Sequence, residues 1–326
     1  MINANQNILF TATILALCVI SFVHVFLFPL YDINAKHTTV KRYADFEQRI
    51  CKGNIKRRVV FKHRRCPQQG IVTVEQGGRL GNQMWAYASV WAIGRRTGLE
   101  TYVPQCIRAE LDKVFDVLSV PSFEEIGHCE LNRFVRSVDS WNYTNQSIIL
   151  KKYTMELEIV LSWVQDIIQE FSFRRALLVR SQKLLREASK GKSGSVFVGI
   201  HVRRTDYIGY LQRKLHINAV GMGFYRKAMG YFLNKYKNVT FIVVSDDPGW
   251  CQAHFKSYDN VYIASEKNKA ADDLAILASC NHTIFDYGTF GTWGAILAGG
   301  ETVCYNLTHH ISTKIVQILP NWHLMK

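Results

Sequence analysis

Between Val196 and Tyr305 the chain alternates short apolar runs with helical stretches. That alternation restricts it to an α/β fold on a parallel sheet. The strand-like runs are 196–202, 239–244, 261–263, 282–285 and 302–305. Helices are expected from about Phe224 to Tyr236, Pro248 to Lys256, Asp272 to Ser279 and Trp293 to Leu297. Val196-Phe197-Val198-Gly199-Ile200 has no polar member, as a strand covered on both faces requires. The first half repeats the pattern with more helix. A strand at 71–74 leads through a glycine turn at 77–83 into a helix that Gly98 ends, and 102–104 reads as the next strand. Met155 to Phe171 reads as one apolar helix, its stripe Leu157, Val160, Trp163, Val164 and Ile168 facing a core. A second helix runs to about Ala188, while residues 105–150 show no clear period. The polar stretch Lys190-Gly191-Lys192-Ser193-Gly194 divides a domain at 67–190 from one at 191–326. The simplest architecture is two such domains facing a cleft.

The amino-terminal end follows other rules. Ile8 to Leu30 is 23 residues without Asp, Glu, Lys or Arg, enough for a helix to span a bilayer. A cleavable signal peptide usually has a cationic start, and Met1 to Asn7 has none. The expectation is therefore a 1–7 tail, an uncleaved anchor at 8–30 and a stem at 31–66. Lys36, Lys41, Arg42 and Arg49 close behind the span argue for the cytosol on that side. Five sequons argue for the lumen, at Asn142, Asn145, Asn238, Asn281 and Asn306. So do the dispersed cysteines, Cys51, Cys66, Cys106, Cys129, Cys251, Cys280 and Cys304, none in a Cys-x-x-Cys pair. Buried free thiols are the alternative for any of them. Seven is odd, so at least one stays free or joins two chains into a homo-oligomer. A lumenal body is the reading adopted, since long domains translocate regardless of flanking charge.

The net charge of +14 raises nucleic acid as a partner. Its distribution argues against one. Residues 31–66 hold 11 Lys and Arg against 3 Asp and Glu, or +8, leaving +6 for the remainder. No zinc-finger, RNP-type or basic-zipper pattern occurs. An apolar content of 48% excludes a disordered chain.

Three loops at expected strand ends carry candidate chemistry. Gly77 to Gln83 has three glycines before a helix, and Asn82 offers a donor and an acceptor to a hydroxyl-rich ligand, or simply caps the helix. His201-Val202-Arg203-Arg204-Thr205-Asp206-Tyr207 follows the 196–202 strand, where open α/β sheets place ligands. Its arginines keep their charge and present a fork suited to phosphate oxygens. His201 can orient a phosphate or take a proton, and Asp206 can act as a base or pair with an arginine. Asp286 to Trp293 holds Gly288, Thr289 and Phe290, with hydroxyls and backbone N–H groups at a helix start. No Asp-x-Asp is present, so a metal-bridged diphosphate has no obvious holder. Asp246-Asp247 suits a metal, a ribose or base contact, or a cap on the helix at Pro248. Together these loops suggest transfer of a group from a nucleotide diphosphate.

The segments Gly78-Arg-Leu-Gly-Asn-Gln-Met84, His201 to Tyr207, Ser245-Asp246, and Asp273 through Cys280-Asn-His-Thr-Ile284 to Gly288-Thr-Phe-Gly291 and Ala298-Gly-Gly300 resemble the galactoside α-1,2-fucosyltransferases. The resemblance covers roughly residues 70–326; Thr205 stands where vertebrate members commonly carry glycine. It implies two Rossmann-like domains of the GT-B type, a Golgi signal-anchor with a lumenal catalytic part, GDP-fucose as donor, and no metal or other cofactor. It also implies inverting transfer of fucose to the 2-hydroxyl of a terminal β-galactose. On this resemblance Arg203 carries the leaving charge with His201 and Arg204 beside it; Asn82 positions the reacting groups by the similarity of its turn to the one in protein O-fucosyltransferases. Arg203, Arg204, Ser245, Asp246, Asp273, Gly288, Thr289 and Phe290 are the expected donor contacts. Asp206, Glu75 and His201 are the candidates for general base, with late proton transfer to phosphate or solvent as the alternative. Asn142, Asn145, Asn238 and Asn306 are the expected glycan carriers. A fucosyltransferase of another linkage, or an inactive membrane-tethered glycan-binding protein, remains as the alternative.

Overall fold

Two parallel sheets organise the chain. In a computed structural model, residues 42–51, 63–130, 147–308 and 310–326 are described, with 134–136 as backbone. The expected tail, the 8–30 span and the sequons Asn142 and Asn145 lie outside the described residues, as does much of the expected stem. Among the described residues no helix is long and apolar enough to cross a membrane.

The larger sheet has six strands: β5 (Val196–Val202), β6 (Val239–Ser245), β7 (Val261–Ile263), β8 (His282–Phe285), β9 (Thr302–Tyr305) and β10 (Trp322–Met325). Their order is β10-β9-β8-β5-β6-β7, all parallel. Counted from β5 as the first strand, this is 3-2-1-4-5-6, the doubly wound order whose direction reverses between strands one and four. Here that point lies between β5 and β8, where Val198 to His201 pair with His282 to Phe285. The smaller sheet holds β1 (Ile71–Val74), β2 (Glu100–Thr101), β3 (Phe134–Arg136) and β4 (Ser147–Leu150), in the order β2-β1-β4-β3, also parallel. β1 and β4 are buried along their whole length although each includes one polar residue, Thr73 and Ser147, and the Ser147 hydroxyl accepts the Ile71 N–H at 3.1 Å.

One core joins the two sheets. The Leu80–Thr97 helix is buried from Met84 through Gly94 and packs against the Gly288–Ala298 helix. Trp85 and Trp293 meet there with ring centroids 4.6 Å apart, both fully buried. Phe171 sets its edge on Trp293 at 5.0 Å.

The strand read at 102–104 lies at Glu100–Thr101, β10 has no counterpart in the sequence reading, and the structure differs further at four helices. The expected helix over 155–171 is two, Leu157–Ser162 and Val164–Glu170, broken at Trp163, whose φ of −116° and ψ of 29° leave the helical region. The break turns Trp163 out of the stripe to 37% exposure, where it lies 5.5 Å from the Arg95 guanidinium. The Gly288–Ala298 helix starts five residues before the expected Trp293, so the third glycine loop is its first turn. The basic loop after β5 continues into a Thr205–Tyr210 helix. Tyr43–Ile50, inside the segment read as stem, is a helix docked by fully buried Tyr43 and nearly buried Phe46. Cys51–Cys106 and Cys66–Cys129 are disulfides, and Cys251, Cys280 and Cys304 are free and buried.

Candidate active site at the β5–β8 switch point

The three loops converge. Arg79, in the 77–83 turn, pairs through Nη2 with Asp206 Oδ2 in the loop after β5. Asn82 Oδ1 accepts from the Thr289 hydroxyl at 3.3 Å, tying the same turn to the start of the Gly288–Ala298 helix. Gly81 permits that approach: a Cβ there would lie 2.7 Å from the Phe290 nitrogen and 2.8 Å from Thr289 Oγ1.

Arg203 is at the centre. Its backbone N–H donates to Asp286 Oδ2 at 2.8 Å, linking the carboxyl ends of β5 and β8. Its guanidinium spans Asp246 and Asp206. Arg204 donates its backbone N–H to Asp246 Oδ1 at 2.8 Å. The Arg204 guanidinium lies 4.3 Å over the Trp250 ring, with Nε 3.4 Å from Asp247 Oδ2. The Thr205 hydroxyl also donates to Asp246 Oδ2. Three arginines thus stand among Asp206, Asp246, Asp247 and Asp286, so their charge is paired rather than bare. A planar fork can leave one carboxylate for a phosphate without moving far.

His201 is buried at 5% exposure, and burial lowers its pKa to about 4, so the ring is neutral at neutral pH. Its Nδ1 is 3.9 Å from Asp286 Oδ1 and has no hydrogen-bond partner among the described residues. The ring packs 5.2 Å from Phe290. His201 therefore stands beside Arg203 as an uncharged group. Asp206 is exposed between Arg79 and Arg203, and Glu75 follows β1 at the entrance to the glycine turn.

The other expected donor contacts divide. Gly288, Thr289 and Phe290 form the helix start facing Asn82 and His201, with Gly288 at φ 83°. Ser245 Oγ accepts from the Asp247 N–H at 2.9 Å, and Asp247 caps the Pro248–Phe255 helix through the Trp250 N–H at 3.0 Å. Asp273 lies on the Ala270–Ala278 helix; burial raises it to about 6, and it accepts from Asn268 at 2.9 Å. Asn238 is exposed and Asn306 half-buried, whereas Asn281 holds the Phe197 N–H at 2.8 Å.

Two groups carried no role in the sequence reading. Asp286 is buried and accepts from Arg203 N–H, Tyr287 N–H and the Tyr225 hydroxyl. Burial still raises it to about 7, against the lowering by those bonds. It opens the third loop in sequence, but nothing there signalled its reach across to β5. His310 Nε2 accepts the Gly288 N–H at 3.0 Å, capping the site helix from 22 residues downstream. Burial lowers His310 to about 4. A lone histidine in a loop gives no signal of that contact. The one grouping with metal-ligand chemistry among the described residues is Cys66, His128 and Cys129, where the two sulfurs are already bonded.

The profile of glycosyl transferase family 11 matches residues 37–325. The chain is 31% identical to the galactoside 2-alpha-L-fucosyltransferase Sec1 of Mus musculus, over 81% of this chain and 76% of that protein. It is 30% identical to the galactoside alpha-(1,2)-fucosyltransferase 2 of Pongo pygmaeus, over 78% of this chain and 79% of that one. Among solved structures it is similar to the fucosyltransferase NodZ from Bradyrhizobium, with a TM-score of 0.47 and 15% identity over 70% of this chain and 92% of that one. The family profile, the relatives and the convergence of the three loops agree: the chain belongs to glycosyl transferase family 11.

Proposed function

We propose that this chain transfers L-fucose from GDP-β-L-fucose to the 2-hydroxyl of a terminal β-galactose on a glycan, with inversion and without a metal ion. Membership of the family and the activity named for the relatives support the donor and the linkage. The observation that carries the chemistry is Arg203, anchored by its backbone to Asp286 at the β5–β8 reversal, where doubly wound sheets bind nucleotides.

Charge grows on GDP as the fucosyl bond opens. A guanidinium already aimed at that place stabilises the transition state more than the ground state. Arg203 takes this role and Arg204, fixed against Trp250, supports it. Asn82, held against Thr289, lies between the smaller-sheet turn and the site helix and orients the reacting groups. The two parallel sheets serve as the acceptor-side and donor-side halves of a GT-B enzyme. The 8–30 segment anchors the chain as a type II Golgi membrane protein with this body in the lumen. The two disulfides suit that compartment, and Asn238, exposed beside β6, is an accessible glycan carrier.

The test is incubation of the full chain with GDP-fucose and a panel of β-galactosides, with and without EDTA, followed by linkage analysis. An α-1,2-fucosylated product formed in EDTA is the expected result. GDP binding without transfer would leave a glycan-binding protein, another linkage would reassign the enzyme, and EDTA-sensitive transfer would remove the metal-free mechanism.

A further inference from the structure

A strained aromatic residue borders the glycine turn of the site. The chain leaving β4 makes a tight turn at 151–154, closed by the Thr154 N–H on the Lys151 carbonyl at 3.2 Å. Tyr153 occupies the third position of this turn with φ 65°. Glycine or asparagine ordinarily takes that position, because a Cβ is crowded in the left-handed region. A bulky residue there is an outlier that points from strain toward function. The ring is half open to water, at 51% exposure.

The turn's place gives the ring a use. A Cβ at Gly77 would lie 2.9 Å from Lys152 Cβ, 3.3 Å from the Tyr153 nitrogen and 3.4 Å from its ring. Gly77 opens the turn whose Arg79 meets Asp206 and whose Asn82 meets Thr289. The strained tyrosine therefore stands on the smaller-sheet side of the same loop that reaches Arg203's partners. An aromatic face half open to water suits the apolar C–H face of a pyranose, while the phenol at its edge meets the sugar's hydroxyls.

Resting on the transferase reading above, we infer that Tyr153 is the stacking platform for the galactose unit of the acceptor. The turn holds the ring in a backbone conformation that glycine would adopt more readily, so strain in the fold is retained for the sake of an exposed aromatic surface. Contact with a non-reacting face of the sugar is made equally in ground and transition states. Its loss therefore raises acceptor KM and spares kcat.

The experiment measures initial rates of the full chain and of Tyr153→Ala, Tyr153→Gly, Tyr153→Phe and Tyr153→Trp, varying a β-galactoside and GDP-fucose separately. Expected is an acceptor KM raised about 10-fold or more in the alanine and glycine variants, with GDP-fucose KM within about twofold of wild type. Phenylalanine and tryptophan should restore most of the acceptor affinity. Tyr153→Gly should melt no lower than wild type, since it relieves the left-handed strain. An unchanged acceptor KM in Tyr153→Ala would overturn the proposal while leaving the transferase intact. So would a failure of phenylalanine to rescue, or a Tyr153→Gly chain that melts well below wild type. Absence of transfer by the wild-type chain would remove the transferase reading and this one together.

Discussion

Trp85 and Trp293 lie with ring centroids 4.6 Å apart and planes inclined by 43°, both out of water, one on each helix that carries a site loop. The glycine turn opens the helix of Trp85, and the Gly288-Thr289-Phe290 turn opens the helix of Trp293. The indole pair therefore fixes the spacing between the two loops from behind the site.

Truncating either ring should damage stability first. Trp85→Ala is expected to cost about 3–5 kcal/mol, measured by urea unfolding. Because the rings touch, the double variant with Trp293→Ala should cost less than the sum of the two single variants. Simple additivity would mean that the contact does not couple the loops.

Arg203→Lys tests shape against charge. Lysine keeps the charge but cannot span Asp246 and Asp206 as the guanidinium does. A fall in kcat of about 100- to 1,000-fold is expected for alanine, with lysine recovering only a small part. Wild-type turnover in Arg203→Ala would end the proposed chemistry.

Gly81→Ala probes the approach of the two loops. Its new Cβ would meet the Phe290 nitrogen at 2.7 Å, a backbone atom that cannot rotate away. The variant should fold, as judged by circular dichroism, yet lose at least about 10-fold in kcat, since an ångström-scale displacement of positioning groups is costly. Full activity would show that the Asn82–Thr289 contact has no part in turnover.

Buried imidazoles give the acid side of the stability profile. His310 has its folded pKa lowered from 6.5 to about 4 by burial. The unfolded chain then binds more protons between those values. The contribution is complete above pH 6.5 and is lost as pH falls toward 4, on the order of 3 kcal/mol. His201 acts in the same direction. Asp286, raised from 3.8 to about 7, acts in the opposite sense, its contribution fading as pH climbs through that range. Denaturant titrations at stepped pH should therefore show a shallower acid decline in His310→Gln and a steeper one in Asp286→Asn. Parallel profiles in all three chains would contradict these assignments.

Much of this was legible in sequence because the central strands of the larger sheet are covered on both faces. An unbroken apolar run such as 196–200 has few other fates, and the helices between such runs came out within a few residues. The three loops were legible for the same reason, since they follow the strand ends. What failed depended on contacts distant in sequence. Tyr43–Ile50 reads as stem because lysines and arginines flank it, while the groups that dock it, Tyr43, Phe46 and the Glu47 carboxylate on the Gln105 N–H, meet partners far along the chain. Trp163 looked like core because periodicity assumes an unbroken helix. The carboxylates that hold Arg203 come from three different loops, and cysteine pairing cannot be read from spacing.

Tyr43–Ile50 and the Cys51–Cys106 bridge make residues ahead of β1 part of the folded body. A chain trimmed to begin at residue 67 would shed that helix together with one partner of each disulfide, Cys51 and Cys66. Cys106 and Cys129 would be left as unmated thiols, so a shortened version of this enzyme should start ahead of residue 42.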